Sequence, residues 1–292
     1  MDIIYRYDPF APLTHEAYNT ASQVIQALSA GNARFAEFVE RMHERTAGGE
    51  AGEPHVIAMD PLSLGIPVWP GAPQAQAPFA MVLGCSDARV PTEQIFDLSF
   101  NDLFVVRVAG NVLGTEGLGS MHFAAKSLSE SMKALVVLGH TQCGAVSAAV
   151  NAYLSPHDYI DIAFTRPLRT LVDRIQIAVR GTAQAVQRTY GKPISNHPQY
   201  GQALLDVGTY INAALTALDS QREMLRTDSE IEVVFGIYDL ETHRVSSRFL
   251  PLVPAANSPL VPALAAPPQD ADGFVELARQ LVESEYIAKL LA

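Results

Sequence analysis

The chain has 292 residues, of which 48% are hydrophobic and 17% are charged, so it has enough apolar material for a buried core and is not a disordered protein. The formal net charge of −11 repels phosphate groups, and we therefore expect neither nucleic acid nor an anionic membrane as a partner. The N-terminus has no basic segment followed by an apolar one, and no apolar run is long enough to cross a bilayer. The sequence therefore predicts a soluble, cytoplasmic protein.

A helical arm is predicted at the N-terminus, over residues 1–46. Apolar residues recur there at near-helical spacing over 16–44, and Gly31 with Asn32 interrupts the pattern. This predicts two helices joined by a turn. Glycine and proline dominate residues 47–77, which predicts an irregular loop insertion that could cover a surface or act as a lid.

Four short apolar runs follow, and their lack of alternation is typical of strands buried on both faces. The predicted strands are 79–83, 103–108, 134–138 and 231–238. The predicted helices between and after them are 117–129, 145–153, 168–188 and 203–226. Strands that alternate with helices predict an α/β fold with a central, mostly parallel sheet flanked by helices. We expect one catalytic domain over residues 1–250, with ligands bound at the carboxyl ends of its strands.

The end of the chain is predicted to be an appendage to this domain. Prolines and alanines concentrate in the segment 251–272, which predicts an extended linker. Residues 273–292 then carry apolar side chains at helical spacing, so we expect an extra C-terminal helix that buries this face against its own domain or a partner.

The two cysteines of the chain each follow a predicted strand. Cys85 begins the segment Cys-Ser-Asp-Ala-Arg-Val-Pro after the first strand, and Cys143 lies three residues after His140 at the end of the third. Both clusters should meet at the same edge of the sheet. Two thiolates and one imidazole suit zinc, and three protein ligands leave a fourth position open for solvent, as in a catalytic site. Two alternatives stay open: a closed structural site in which Asp87 is the fourth ligand, and a disulfide between the cysteines.

With these motifs, the chain resembles the beta-class carbonic anhydrases over about residues 27–245. The matching segments are 28–35, 85–91, 102–111, 138–146 and 236–242. The resemblance implies zinc on Cys85, His140 and Cys143, and an Asp87 carboxylate that Arg89 holds off the metal so that it orients the bound solvent. It further implies the reversible hydration of carbon dioxide to bicarbonate and a proton by zinc-bound hydroxide.

The resemblance also implies a glutamine near the substrate and a homodimeric assembly. Gln76 matches a glutamine that, in one branch of the family, donates a hydrogen bond toward a substrate oxygen; an ordinary loop residue beside Gln74 is the alternative. Its presence favours an open site. The resemblance implies that the active unit is a homodimer or a multiple of it. Ala88 and Ala145 depart from the family pattern, but neither position supplies a ligand.

Two other functions fit the same residues. Hydrolysis of CS2 or COS would use the same scaffold, because both molecules present a linear electrophilic carbon. A zinc-stabilised scaffold domain without turnover is the second alternative. The pairing of Asp87 with Arg89 argues against that alternative, since a structural site has no use for it.

Overall fold

The computed structural model describes residues 3–6, 18–48, 54–59, 71, 76–227, 229–250 and 261–292. Two sheets lie within these residues. The strands of the smaller sheet are β1 (Ile3–Arg6) and β2 (His55–Ala58), which pair in parallel. The strands of the larger sheet are β3 (Ala80–Gly84), β4 (Leu103–Arg107), β5 (Ala134–His140), β6 (Glu232–Tyr238) and β7 (Val245–Ser246).

The larger sheet has the order β4-β3-β5-β6-β7, and its first four strands are parallel. Only the two-residue β7 runs antiparallel, against β6. Every residue of β3 and β5 is buried, which explains why their sequences show apolar runs without alternation. The four predicted strands and their parallel arrangement are confirmed.

Helices cover both faces of this sheet. In chain order the helices are α1 (Ala21–Gly48), α2 (Thr92–Ile95), α3 (Thr115–Ser127), α4 (Gly144–Leu154), α5 (Tyr159–Ile162), α6 (Arg166–Tyr190), α7 (Tyr200–Leu225), α8 (Ala271–Val282) and α9 (Glu285–Leu290). Alternate residues of β3 enter two different cores: Met81 and Leu83 pack with α3, α4, α6 and α7, whereas Ala80 and Val82 pack with α1 and α2. The predicted α/β fold class is confirmed.

The predicted turn within the N-terminal arm is wrong, because α1 continues through Gly31 and Asn32. A Cβ at Gly31 would lie 1.9 Å from the carbonyl oxygen of Phe96, so glycine is needed here for close packing. The amide of Asn32 donates to the carbonyls of Ile95 and His243, and its oxygen accepts from the backbone N–H of Val245. The two residues therefore attach the helix to the domain.

The small sheet corrects two further expectations. The segment 1–46, predicted as a helical arm, contains strand β1, and the segment 47–77, predicted as an irregular loop, contains strand β2. Four-residue strands between turn-rich stretches are too short to be recognised by periodicity. His55 on β2 binds Asp97 of the main domain through Nε2 at 2.6 Å. Most of the predicted lid lies outside the described residues.

The C-terminal region forms two helices, α8 and α9, where one was predicted. The break occurs at Ser284, whose hydroxyl accepts from the backbone N–H of Ile287 and so caps α9. Upstream, Ala265 exchanges two backbone hydrogen bonds with Phe235 on the outer edge of β6. The helices pack on α6 and α7, so the apolar face is buried within this chain. Residues 251–260 of the predicted linker lie outside the described residues.

No helix within the described ranges has the length and apolar character that crossing a lipid bilayer requires.

Candidate metal centre

The structure brings Cys85, His140 and Cys143 together at the carboxyl edge of the sheet. Cys85 directly follows β3, His140 ends β5, and Cys143 immediately precedes α4. Because β3 pairs with β5, the two strand ends are neighbours. The potential ligand atoms of the three side chains all lie within 4.8 Å of one another, and all three residues are buried. The two sulfur atoms are 3.9 Å apart.

The imidazole of His140 faces this cluster with a free nitrogen. Its Nδ1 lies 2.8 Å from the carbonyl oxygen of Thr141, which assigns the proton to Nδ1 and leaves a lone pair on Nε2. Nε2 is buried and has no hydrogen-bond partner in the described part of the chain. A metal ion would satisfy this nitrogen, and two sulfurs with one imidazole nitrogen form a donor set that zinc prefers. The residues therefore fit a metal ion.

The two thiols shift each other's pKa. The pKa of Cys85 is lowered, chiefly by a hydrogen bond from Cys143 and further by the backbone N–H groups of Asp87 and Gly110. The pKa of Cys143 is raised by the same thiol contact and by burial. The contact between the two sulfurs therefore favours the ionised form of Cys85 and the protonated form of Cys143. Binding of a metal to both sulfurs would release the remaining proton.

Arg89 clasps the Asp87 carboxylate beside the cluster. The guanidinium donates from Nε to Oδ1 at 3.0 Å and from Nη2 to Oδ2 at 2.8 Å, and the backbone N–H of Arg89 donates to Oδ1 at 2.9 Å. The side-chain hydrogen bond is the main reason why the pKa of Asp87 lies well below its usual range. Oδ2 is 3.9 Å from Nε2 of His140. An ionised acceptor therefore borders the proposed metal position.

Residues 80–245 match the family model described as carbonic anhydrase, which is more than half of the chain. The chain belongs to the beta-class carbonic anhydrase family. The match begins at β3 and ends at β7, so it includes all three candidate ligands and the Asp87 and Arg89 pair. Helix α1 and the C-terminal helices lie outside it.

Similar proteins carry the same family name. The chain is 41% identical to a carbonic anhydrase of Mycolicibacterium smegmatis over 127 residues, which is 44% of this chain and 52% of that protein. It is 46% identical to carbonic anhydrase 2 of Mycobacterium tuberculosis over 82 residues, or 28% of this chain and 39% of that protein. The chain thus spans about half or less of the length of these relatives. A structure titled as one of two tetrameric beta-carbonic anhydrases from Sordaria macrospora aligns with a TM-score of 0.44 at 17% identity, covering 77% of this chain and 95% of that one.

Arg107 is a residue of the candidate site that the sequence reasoning missed. It ends β4, the other neighbour of β3. Its Nε donates to the carbonyl oxygen of Cys85 at 2.9 Å, and its Nη2 donates to the carbonyl oxygen of Asp87. Arg107 therefore holds the backbone of a candidate ligand and of the neighbouring acid. The strand-end argument that selected Cys85 could have selected Arg107, because it lies near the carboxyl end of a predicted buried strand.

Gln76 is exposed and lies away from the cluster of its own chain. The adjacent Ala77 donates its backbone N–H to the side chain of Asn101, near the start of β4. The metal cluster lies at the other end of the sheet, and at about 3.3 Å per residue the six steps from Phe79 to Cys85 span roughly 20 Å. Gln74 lies outside the described residues.

Proposed function

We propose that this protein is a zinc-dependent carbonic anhydrase that catalyses the reversible hydration of carbon dioxide to bicarbonate and a proton. The observation that carries the proposal is the buried Cys85, His140 and Cys143 cluster with an ionised Asp87 clasped beside it. The family supports the reaction, and the clasp supports an active site over a structural one.

Cys85, His140 and Cys143 would hold the ion. Zinc bound there would act as a Lewis acid and lower the pKa of bound solvent to about 7, as in other carbonic anhydrases. Asp87 is placed to accept a hydrogen bond from a group at the cluster and so to orient it. Arg89 occupies both carboxylate oxygens, which keeps Asp87 away from the ligand positions.

The candidate site has a buried part and a solvent-exposed part. All three candidate ligands are buried, whereas the side chain of Arg89 is 54% exposed. Carbon dioxide, which is uncharged, can enter beside Arg89, and bicarbonate can leave toward a positive charge. The proton must then leave to solvent or buffer.

The test is stopped-flow hydration of carbon dioxide by the zinc-loaded protein. Asp87→Asn should lower kcat/KM by about a hundredfold, the usual cost of removing a group that orients the reacting atoms. Asp272→Asn, an exposed position on α8, is the matched control and should keep full activity. Zinc-loaded protein without measurable hydration would overturn the proposal and leave a zinc-stabilised scaffold. CS2 and COS belong in the same assay, since both would use the same ligands.

We further infer that the active unit is a homodimer or a multiple of it. Gln76 lies roughly 20 Å along the sheet from its own cluster, so its proposed contact with substrate oxygen requires a second copy of the chain. Light scattering would give the mass. In mixtures, a Cys85→Ser chain would supply Gln76 to the intact cluster of a Gln76→Ala chain. Activity above that of either variant alone supports the shared site, and no recovery contradicts it.

Cytoplasmic location and the division into a 1–250 domain, a linker and a tail stay predictions from the sequence.

A further inference from the structure

A tight turn carries a hydrogen-bond donor to the metal cluster. Gly110 lies between β4 and α3 with φ of 67°, and its N–H donates to Sγ of Cys85 at 3.4 Å. A Cβ at this position would lie 2.8 Å from Cδ1 of Ile175 and 3.0 Å from Cβ of Ala145. Packing against α6 and α4 and the left-handed conformation therefore both require glycine. The donor is a backbone N–H group, so a substitution of the Gly110 side chain cannot remove it directly.

The far side of the same residue is held by a buried asparagine. Asn212 on α7 is 4% exposed, and its Nδ2 donates to the carbonyl oxygen of Gly110 at 2.9 Å. The turn itself is closed by the backbone N–H of Asn111, which donates to the carbonyl of Val108. A cavity of about 280 Å³ adjoins Asn212, between α6, α7 and the residues after the turn. Without Asn212, the carbonyl of Gly110 would lose this buried side-chain donor.

We propose that Asn212 is a positioning residue of the metal centre, which aims the N–H of Gly110 at Sγ of Cys85. The inference rests on the proposed function insofar as the cluster holds a metal ion. An N–H group that donates to a ligand sulfur withdraws electron density from it, so the sulfur donates less to the metal and the metal is a stronger Lewis acid. Asn212 thereby influences the reaction through Gly110 and Cys85, without touching substrate.

A purely structural role for Asn212 makes a different prediction. If it only satisfies a buried carbonyl, its loss lowers the stability of the fold and leaves the electronic state of the sulfur unchanged. The measurement must therefore report on the sulfur-to-metal bond. Cobalt(II) is a suitable probe, because thiolate-to-cobalt charge transfer gives an absorption band whose energy depends on the electron density of the sulfur.

The experiment compares the cobalt-substituted full chain with two variants and a control. Asn212→Asp keeps the shape of the side chain but replaces the donor by an acceptor, and Asn212→Ala removes it. Thr216→Val is the control, since Thr216 is one turn along α7 and lines the same cavity. In both Asn212 variants the charge-transfer band should move to lower energy, because the sulfur regains electron density. The affinity for the metal should fall about tenfold, because Cys85 loses a contact that holds it in its ligating position. The control should match the wild type in both measurements.

The outcomes separate this inference from the proposed function. Wild-type protein that shows no thiolate-to-cobalt band contradicts the metal centre itself. A normal wild-type band that both Asn212 variants retain unchanged overturns the role of Asn212, even if their thermal unfolding temperatures fall. A shift in Asn212→Asp alone would be an effect of the added charge and would also overturn it.

Discussion

The carboxylate of Asp87 accepts hydrogen bonds on both oxygens from a residue only two positions away. A planar guanidinium can form two parallel bonds of this kind, which the ammonium group of lysine cannot. The Arg89 side chain is largely exposed, so solvent screens the pair and its contribution to the free energy of unfolding is small. Orientation of Asp87 is therefore the main consequence of the contact.

Arg89→Ala should produce a protein that binds zinc and is nearly inactive. The released carboxylate lies beside the cluster and would become the fourth ligand, which displaces the reactive solvent. Zinc content and kcat/KM measured on the same sample check this. Arg41→Ala, at a similarly exposed arginine on α1, is the control and should leave both unchanged. An Arg89→Ala variant with wild-type activity would contradict the clasp.

Arg107→Ala should weaken zinc binding and activity together. The substitution frees the carbonyls of Cys85 and Asp87, so the ligand and the acid both lose their fixed positions. A buried hydrogen bond from a charged donor contributes about 1.5–3 kcal/mol, and solvent lowers this contribution at the exposed Arg107. Competition with a chelator measures zinc affinity, and stopped-flow hydration measures activity. A variant that loses activity but keeps its affinity for zinc would contradict a role of Arg107 in positioning Cys85.

The sequence predicted the three candidate ligands because the ends of adjacent parallel strands necessarily meet. Cys85 and His140 could be predicted from that rule and from the two apolar runs that precede them. Asn212 could not be found in this way. Its contact with Gly110 depends on how α7 packs across the sheet, and no periodicity in the sequence specifies which buried polar residue of a long helix faces which turn.

At the level of elements, the packing of α1 depends on the absence of a side chain at Gly31. The carbonyl oxygen of Phe96, just beyond α2, occupies the space in which a Cβ would lie. Both the helix at Gly31 and the contacting group of Phe96 are backbone, so neither can move aside by a side-chain rotation. The glycine that seemed to interrupt the helix is therefore a contact point within it.

Gly31→Ala should destabilise the protein by about 1–3 kcal/mol, the usual cost of overpacking, despite the higher helix propensity of alanine. Gly48→Ala is the matched control in the same helix, because a Cβ there has no atom within 4 Å. Urea unfolding followed by circular dichroism measures both. Equal midpoints for the two variants would show that α1 can move away from Phe96.

The docking of α9 onto α7 includes a titratable group. Tyr286 donates to Oδ2 of Asp206 at 2.9 Å and Gln202 donates to Oδ1 at 2.8 Å. Burial raises the pKa of Asp206 above its usual range, and these hydrogen bonds only partly offset it. The contact joins the C-terminal region to the centre of the fold.

A raised pKa in the folded state means that protonation of Asp206 favours folding. Its contribution to stability is present below the unfolded pKa of about 3.9 and is lost as the pH rises through the folded value. The free energy of unfolding should therefore fall more steeply from pH 4 to pH 7 in the wild type than in Asp206→Asn. Urea midpoints at several pH values check this, with Asp272→Asn as the exposed control. Parallel curves for wild type and Asp206→Asn would contradict it.

The elements that sequence reasoning missed are short. Long helices and doubly buried strands repeat their pattern over enough residues to be recognised, whereas β1, β2 and α2 each have four residues. The break at Ser284 depends on a single capping hydroxyl within an otherwise continuous apolar pattern. Local signals of that size become decisive only in the folded environment.

For the whole molecule, the candidate metal centre joins segments that are distant in the chain. Zinc that binds only the folded protein stabilises it by mass action, by about 4 kcal/mol when zinc exceeds its dissociation constant a thousandfold. Removal of zinc by a chelator should lower the urea midpoint, and re-addition should restore it. Cys143→Ser should unfold like the metal-free wild type with or without zinc. Full zinc occupancy and an unchanged midpoint in Cys143→Ser would contradict a ligand role for this cysteine.

The C-terminal segment that pairs with β6 also bears on aggregation. The sequence of β6 from Val233 to Tyr238 is apolar, uncharged and free of proline, a composition typical of segments that self-associate as sheets. Ala265 occupies hydrogen-bonding positions on its outer edge, and the backbone of Ala263 closes over Gly236. An open edge of this kind would recruit other chains. Any change that releases this C-terminal segment from β6 is therefore expected to reduce solubility before it abolishes the fold.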